Sequence, residues 1–394
     1  MKARKIVDGI YWVGAVDWDR RVFDDLIPLP DGTSYNSYLI QGSEKTALID
    51  TVDNVMSEVL LQRLGSLGVE HIDYIITNHA EQDHSGTLPQ ILEKFSEARV
   101  VCTQKCRDIL SDLSLVPENR FLTVEDGETL SLGDRTFEFI HAAWVHWPET
   151  MLTYLREDEI LFPCDLFGSH MATSDLYLGD ERRGYEAAKR YYAEIMMPFR
   201  MLLQKHLSRL REYSISTIAP SHGPMYDRPE FIMNAYQDWV NSNPKNVVVL
   251  PYISMHDTTR VMVNHLVDAL VAKGVTVEKY NLAVTDTGKL AMALVDAGTI
   301  VIGSPTVLTG AHPKVVYATY LANALRPKVK FVSIVGSYGW GGRMVQQLAD
   351  MIPNLKVEIL DPVVVKGYPD DNDFKALDTL ASTIAEKHRE NEFL

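Results

Sequence analysis

Near residue 245 the hydrophobic pattern of this 394-residue chain changes its grammar, and one layered sheet cannot accommodate both patterns. From Val247 onward, consecutive apolar runs alternate with amphipathic segments: VVVLPYI, VNHLVDALV, VTVEKY, LAMALVDA, TIVIG, KVVYATYLANAL, KFVSIVG, VQQLADM and KVEIL. Strands this uniformly apolar are buried on both faces, as in a parallel doubly wound sheet. Earlier in the chain, short β runs fall at 5–13, 34–40, 46–51, 72–77, 99–103, 120–124, 129–140, 151–155, 159–163 and 215–219. Helical patterns lie among them at 55–64, in TLPQILEKF and across 184–212. Hairpins, mixed strands and helices together predict an α+β layered domain. The join is NSNPKN, polar and rich in turn formers, so two domains are expected, 1–245 and 246–394.

Charge and composition remove several function classes. The formal net charge of -15 argues against a nucleic-acid footprint, which needs a basic patch or stripe. It leaves room for a local basic docking patch facing an acidic protein. No stretch approaches the ~20 apolar residues of a membrane helix, and the start MKARKIVDGIYWVG lacks the apolar core of a signal peptide. Cys102, Cys106 and Cys164 form no CxxC pair and no disulfide framework. A reduced, cytoplasmic setting is expected.

The strongest chemical signal follows the run at 72–77: Thr77-Asn78-His79-Ala80-Glu81-Gln82-Asp83-His84-Ser85-Gly86. His79, Glu81, Asp83 and His84 are four metal-capable side chains within six residues, on a loop leaving a strand. The plain alternative is a solvated loop, since Asp and Glu are mostly exposed. Three further candidates share that placement after a strand. His146 lies in AAWVHWPET, Asp165 in LFPCDLFGSH and His222 in APSHGP. Each alone reads as a cap or a core histidine; several strand ends converging on one point make an active site. No metal role is assigned to His71, His141, His170, His206, His256, His265, His312 or His388.

Three loops in the second half carry a different signal. Ser254-Met255-His256-Asp257-Thr258-Thr259 leads from a strand into a helix and can wrap a phosphate with hydroxyls and backbone N–H groups. Ser304-Pro305-Thr306-Val307-Leu308-Thr309-Gly310 follows the run TIVIG, and Gly336-Ser337-Tyr338-Gly339-Trp340-Gly341-Gly342 follows KFVSIVG. Neither a GxGxxG fingerprint nor a P-loop is present. Any one loop is explained as a mere turn. Three at consecutive strand ends, one rich in hydroxyls and one carrying Tyr338 and Trp340, suit a phosphate joined to a flat ring. That is FMN at a topological switch point.

The first half resembles the metallo-β-lactamase superfamily, whose HxHxDH motif marks binuclear zinc hydrolases. Here His79-x-Glu81-x-Asp83-His84 carries a glutamate where the second histidine stands. A more anionic, oxygen-rich shell suits iron better than zinc. With a flavodoxin-like half behind it, the whole chain resembles the flavodiiron proteins. That resemblance implies a metallo-β-lactamase-like αββα sandwich followed by a flavodoxin-like doubly wound domain. It also implies two non-haem irons, one taking His79, Glu81 and His146, the other Asp83, His84 and His222, with Asp165 bridging. FMN phosphate would rest on Ser254, Met255, Thr258 and Thr259, and the ring on Pro305, Thr306, Ser337, Tyr338, Gly339 and Trp340. Three residues depart from the family pattern. His256 stands where members often carry an aromatic, and Val307 and Leu308 replace polar residues.

The implied activity is reduction of dioxygen to water, of nitric oxide to nitrous oxide, or of both, with electrons passing through FMN. The family's head-to-tail homodimer, or a pair of such dimers, would set each FMN beside its partner's irons. No rubredoxin-like module with paired CxxC motifs follows, so an external donor is expected: rubredoxin or, in a methanogen, a reduced deazaflavin. Two other readings stay open at this point. One is a zinc-dependent hydrolase with an appended flavodoxin domain; the other is an electron-transfer flavoprotein whose first half is only a scaffold.

Overall fold

The computed structural model describes residues 1–113 and 116–394. The chain forms two compact units, Met1–Tyr192 with Phe199–Val240, and Asn241–Leu394 with Ala193–Pro198.

Two sheets build the first unit. One has seven strands, in the order Arg4–Val7, Ile10–Trp12, Tyr38–Gln41, Thr46–Ile49, Tyr74–Ile76, Arg99–Cys102 and Phe121–Thr123. The other has five, Thr129–Ser131, Thr136–His141, Met151–Leu155, Ile160–Phe162 and Thr217–Ile218. Successive side chains in a strand face opposite ways, and the larger sheet uses both faces. Leu39, Leu48, Ile75 and Val100 pack with Leu60, Leu64, Leu88, Ile91 and Leu110 from the helices Ser57–Ser66, Leu88–Lys94 and Gln104–Leu113. Their neighbours Tyr38, Ile40, Ala47, Ile49, Ile76 and Val101 turn the other way and pack with Phe137, Phe139, Met151, Leu155 and Phe162 of the smaller sheet. The apolar runs of this half are therefore seams between two layers rather than alternating half-exposed strands.

Several expected elements are shorter or broken. The run 5–13 folds back on itself at Asp8-Gly9, where Gly9 takes φ +75. The run 34–40 divides between two sheets, because Thr33–Tyr35 pairs with Ala15–Asp17 and Tyr38–Gln41 joins the large sheet. The long helix expected at 184–212 is two helices, Glu181–Tyr191 and Arg200–Leu210, separated by a π turn and a 3-10 turn that contains Pro198. Helices Gln104–Leu113, Pro229–Val240 and Asp371–Glu390 were not marked by the pattern.

The second unit is a parallel sheet in the spatial order Thr276–Asn281, Val247–Tyr252, Thr299–Val307, Phe331–Tyr338, then Glu358–Ile359 and Val363–Lys366. This is the flavodoxin-like order 2-1-3-4-5, and its switch point lies between Val247–Tyr252 and Thr299–Val307. Among the described residues, no helix is long and apolar enough to cross a membrane.

His388 locks the C-terminal helix of this unit to the sheet. The ring is fully buried, Nδ1 donates to Asn246 Oδ1 at 2.8 Å, and Nε2 accepts from Thr299 Oγ1 at 2.8 Å. Burial lowers its pKa from the ordinary 6.5 to about 4. Between those values the unfolded chain binds a proton that the folded chain refuses, so this contribution is whole above pH 6.5 and fades as pH falls toward 4. Allowing for partial screening, it is worth roughly 2 kcal/mol. Urea unfolding of His388→Gln should show a shallower loss of stability between pH 6.5 and 4 than the parent chain; equal slopes would refute the assignment.

Candidate metal centre and cofactor cleft

The seven candidate ligands come from four strand ends of the first unit, and Asn78 fixes the first of them. Its backbone N–H and its amide donate to the two oxygens of Asp50, at 2.8 and 3.1 Å. Its own Oδ1 accepts from Thr153 Oγ1 at 2.7 Å, and its carbonyl accepts from Met151 N at 2.9 Å. One buried asparagine thus ties both sheets at the root of the His79 loop. Beyond it the chain makes a short helical turn, Gln82–Ser85, where a simple loop was expected. Thr51 clamps that turn, donating to the His84 carbonyl through N at 2.7 Å and Oγ1 at 2.6 Å.

Two clusters result. His79, Glu81, His146 and Asp165 converge in one, and Asp83, His84 and His222 in the other. His79 Nε2 and His146 Nε2 lie 3.0 and 3.1 Å from Glu81 Oε2, and 3.6 and 3.4 Å from Asp165 Oδ2. His222 Nε2 is 3.0 Å from Asp83 Oδ2, and His84 Nε2 is 3.3 Å from Asp83 Oδ1. The same two rings lie 3.4 and 3.1 Å from Asp165 Oδ1. Asp165 therefore turns one oxygen to each cluster. A third group, His84, Cys164 and Asp165, shares atoms with these. Burial pushes the Cys164 thiol well up, which disfavours the thiolate a metal would need.

Electrostatics favour cations at this point. Burial pushes the carboxylates of Glu81 and Asp165 up, but the surrounding imidazoles outweigh it and hold both below the usual range. Burial likewise opposes charge on the rings, yet Asp165 and Glu81 raise the pKa of His146 to about 10. Asp83 and Asp165 raise His84 well above its ordinary value. Both oxygens of Asp83, both ring nitrogens of His84 and Asp165 Oδ2 are buried without any hydrogen-bond partner. Polar atoms left so cost ~1–3 kcal/mol each, more when charged. The donor set, imidazole and carboxylate with no thiolate, fits a pair of hard to borderline metal ions.

Some functional groups went unnoticed in the sequence. Glu149 Oε1 accepts from His79 Nδ1 at 2.7 Å, which leaves the Nε2 lone pair facing the cluster. The Ser34 carbonyl does the same for His222 Nδ1 at 2.6 Å. Tyr191 donates its hydroxyl to Asp165 Oδ1 at 2.8 Å. Gly223, next to His222, takes φ +78, and a Cβ there would lie 2.2 Å from Ser169 Oγ. Only the spacing of Glu149, three residues past His146, offered a sequence clue.

In the second unit the three expected loops share one sheet edge. Thr259 Oγ1 lies 3.3 Å from Ser337 Oγ, joining the first and third loops, and Arg343 N donates to Thr309 O at 2.7 Å, joining the second and third. A Cβ on Gly342 would lie 2.6 Å from Thr306 Cγ2, so the close approach of those loops requires glycine. Asp257 takes φ +66 at the start of Thr258–Val271 and its side chain makes no capping bond, while Thr258 N and Val261 N donate to the carbonyls of His256 and Asp257. Ser254 Oγ accepts from Arg260 N, and Ser304 Oγ donates to the Pro305 carbonyl and accepts from His312 N. A cavity of about 540 Å³ is lined by Thr306, Tyr338, Gly341 and Gly342 together with Arg343–Gln346 and Val364, the last five not anticipated. Ser254, Met255, His256, Asp257, Thr258 and Thr259 do not line it. Hydroxyls and a helix N-terminus at one end, with a Tyr-lined cleft beside them, fit a phosphorylated flat ring. Met255, Leu308 and Trp340 stand 52%, 93% and 88% exposed at the loop tips.

Comparison with known proteins resolves the family. A model of the ODP family beta lactamase matches residues 33–223. A nitric oxide reductase of Moorella thermoacetica is 39% identical over 363 residues, 90% of each chain. The rubredoxin oxygen:oxidoreductase of Desulfovibrio gigas matches with a TM-score of 0.95 and 30% identity over 100% of both chains. The chain belongs to the flavodiiron protein family. The flavodiiron protein of Giardia intestinalis also matches, with a TM-score of 0.90 and 29% identity over 99% of this chain and 98% of that one. The chain is thus an oxidoreductase with a metallo-β-lactamase-like and a flavodoxin-like half, and a hydrolase reading is not favoured.

Because Glu149 fixes the tautomer of His79, its removal should weaken metal binding without unfolding the chain. Glu149→Ala should lower metal affinity about 10- to 100-fold, measured as metal retained against a chelator, with circular dichroism unchanged. Undiminished retention would show that the His79–Glu149 bond does not orient a ligand.

Proposed function

We propose that the chain reduces dioxygen to water, nitric oxide to nitrous oxide, or both, at two irons held by the clustered side chains, with electrons arriving through FMN. One observation carries the reading: the two oxygens of Asp165 face two separate clusters of ligand-type side chains. His79, Glu81 and His146 would hold one iron, Asp83, His84 and His222 the other, and Asp165 would bridge them. When bound, the two irons and FMN supply the redox capacity, two electrons from the pair and two from the flavin, which matches the four that dioxygen takes on its way to water.

The protein's own contribution is placement. Glu149 and the Ser34 carbonyl hold His79 and His222 with Nε2 inward, so neither ring needs to reorient to bind. Glu81, Asp83 and Asp165 give an anionic shell that suits an oxidised iron. Neither nitrogen of the His84 ring makes a hydrogen bond, so the ring is held by its charge contacts with Asp83 and Asp165. In the second unit, the hydroxyls of Thr258 and Thr259 at the start of their helix would take the FMN phosphate, and Thr306, Tyr338 and Gly341 would flank the ring. The exposed tips Met255, Leu308 and Trp340 support a head-to-tail homodimer that covers them. The donor would be a separate redox carrier, rubredoxin or a reduced deazaflavin.

The test is to reconstitute the anaerobic protein with iron and FMN, reduce it through rubredoxin, and follow both gases. Wild-type protein should consume at least one, giving water without accumulating peroxide or nitrous oxide as product. Asp165→Asn should abolish turnover while FMN stays bound. Consumption of neither gas by fully loaded and reduced protein would overturn the reading.

A further inference from the structure

Tyr35 carries a buried hydroxyl that the protein leaves unused. The residue ends the short strand Thr33–Tyr35 and has no solvent exposure, and its ring meets the His222 ring edge-on at a centroid distance of 6.0 Å. Its Oη has no hydrogen-bond partner. The flanking residues are engaged at the same cluster: Thr33 Oγ1 bonds His170 Nδ1 at 2.8 Å, Ser34 O holds His222, and Asn36 Nδ2 donates to the carbonyls of Pro220 and Gly223. Those bonds already fix the strand against the His222 loop, so the phenol oxygen is not needed as a structural tie. A phenylalanine would fill the same volume without the cost of an unsatisfied buried hydroxyl, ~1–3 kcal/mol.

A phenol keeps its proton at neutral pH, so the hydroxyl is a donor. Asp83 belongs to the same metal cluster as His222. A protonated phenol beside that cluster, with no acceptor in the protein, calls for an acceptor that arrives from outside.

We propose that Tyr35 is a substrate-contacting residue, whose hydroxyl donates a hydrogen bond to the small oxygen- or nitrogen-containing molecule taken up beside the Asp83–His84–His222 cluster. The inference rests on the reductase reading above and adds to it a donor outside the ligand set. The chemistry asked of the hydroxyl is modest: it keeps its proton and steadies negative charge as it gathers on the small molecule.

Tyr35→Phe tests this, because the swap removes one oxygen and preserves the ring. Iron content and FMN content should equal those of the parent, and the thermal midpoint should be unchanged or higher. Azide, a small anion, is the probe: optical titration of the oxidised, iron-loaded protein should show affinity about tenfold weaker in the variant. The turnover number for the preferred gas should fall by a similar factor. Parent-like azide affinity and turnover in a fully loaded variant would overturn the proposal and leave the hydroxyl bonded to water alone. A lower thermal midpoint with parent-like azide affinity would also overturn it, by showing a structural role. The parent protein, run alongside, separates the two ideas, since its failure to turn over either gas counts against the reductase reading and not against Tyr35.

Discussion

A carboxylate buried between imidazoles sets the terms for the first unit. Asp165 is 1% exposed, and its two oxygens face four histidine rings from two directions. An ionised group at such depth is tolerable only when paired, and stripping a partner from a buried pair typically costs about 3–5 kcal/mol. Glu81 and Asp83 add negative charge to the same small volume. The imidazoles answer it only if they hold protons or share cations, and the Nδ1 bonds of His79 and His222 turn both Nε2 atoms toward the carboxylates. With Nδ1–H given to Glu149 and to Ser34, each ring in its neutral form points an Nε2 lone pair inward, an arrangement suited to cations.

The fold supplies that geometry by bringing strand ends of two sheets together. His79 and Asp83 leave the large sheet, while His146, Asp165 and His222 leave the small one. Asn78 spans the gap, bonding Asp50 on one side and Thr153 and Met151 on the other. Asp50 is itself raised to about 6 by burial, so a buried acid anchors the loop that carries the ligands. The second unit solves a different problem. Its parallel strands all deliver loops to one edge, and neighbouring loops approach so closely that Gly342 has no room for a side chain.

Much of this was legible because it lives in local pattern. The uniformly apolar runs after Val247 announced a doubly wound sheet, and the crowded loop His79 to His84 pointed to a site, because four metal-capable groups stand within six residues after a strand. The distant members His146, Asp165 and His222 were legible only by their shared place after strands. What stayed hidden depends on tertiary contact. Glu149, Ser34, Tyr191 and Tyr35 sit in unremarkable text and gain meaning from what folds against them. Backbone carbonyls such as that of Ser34 have no sequence signature at all. The broken helix at Tyr192–Phe199 and the split of residues 34–40 between two sheets are of the same kind, set by neighbouring layers rather than by the run itself.

Charge distribution follows the division of labour between the units. Residues 241–394 carry as many Lys and Arg as Asp and Glu, so the formal net charge of -15 resides in residues 1–240. Part of that charge is not on the surface: Asp50, Asp83, Glu149 and Asp165 are all buried. A domain that concentrates acids in its interior works against its own compactness unless something positive joins them. Metal ions at the two clusters would offset that repulsion and complete the coordination of atoms such as Asp83 Oδ1 and Asp165 Oδ2, which face imidazoles but make no hydrogen bond. Loading the centre and stabilising the fold would then be one and the same event, since ions that bind only the folded arrangement add their binding energy to its stability.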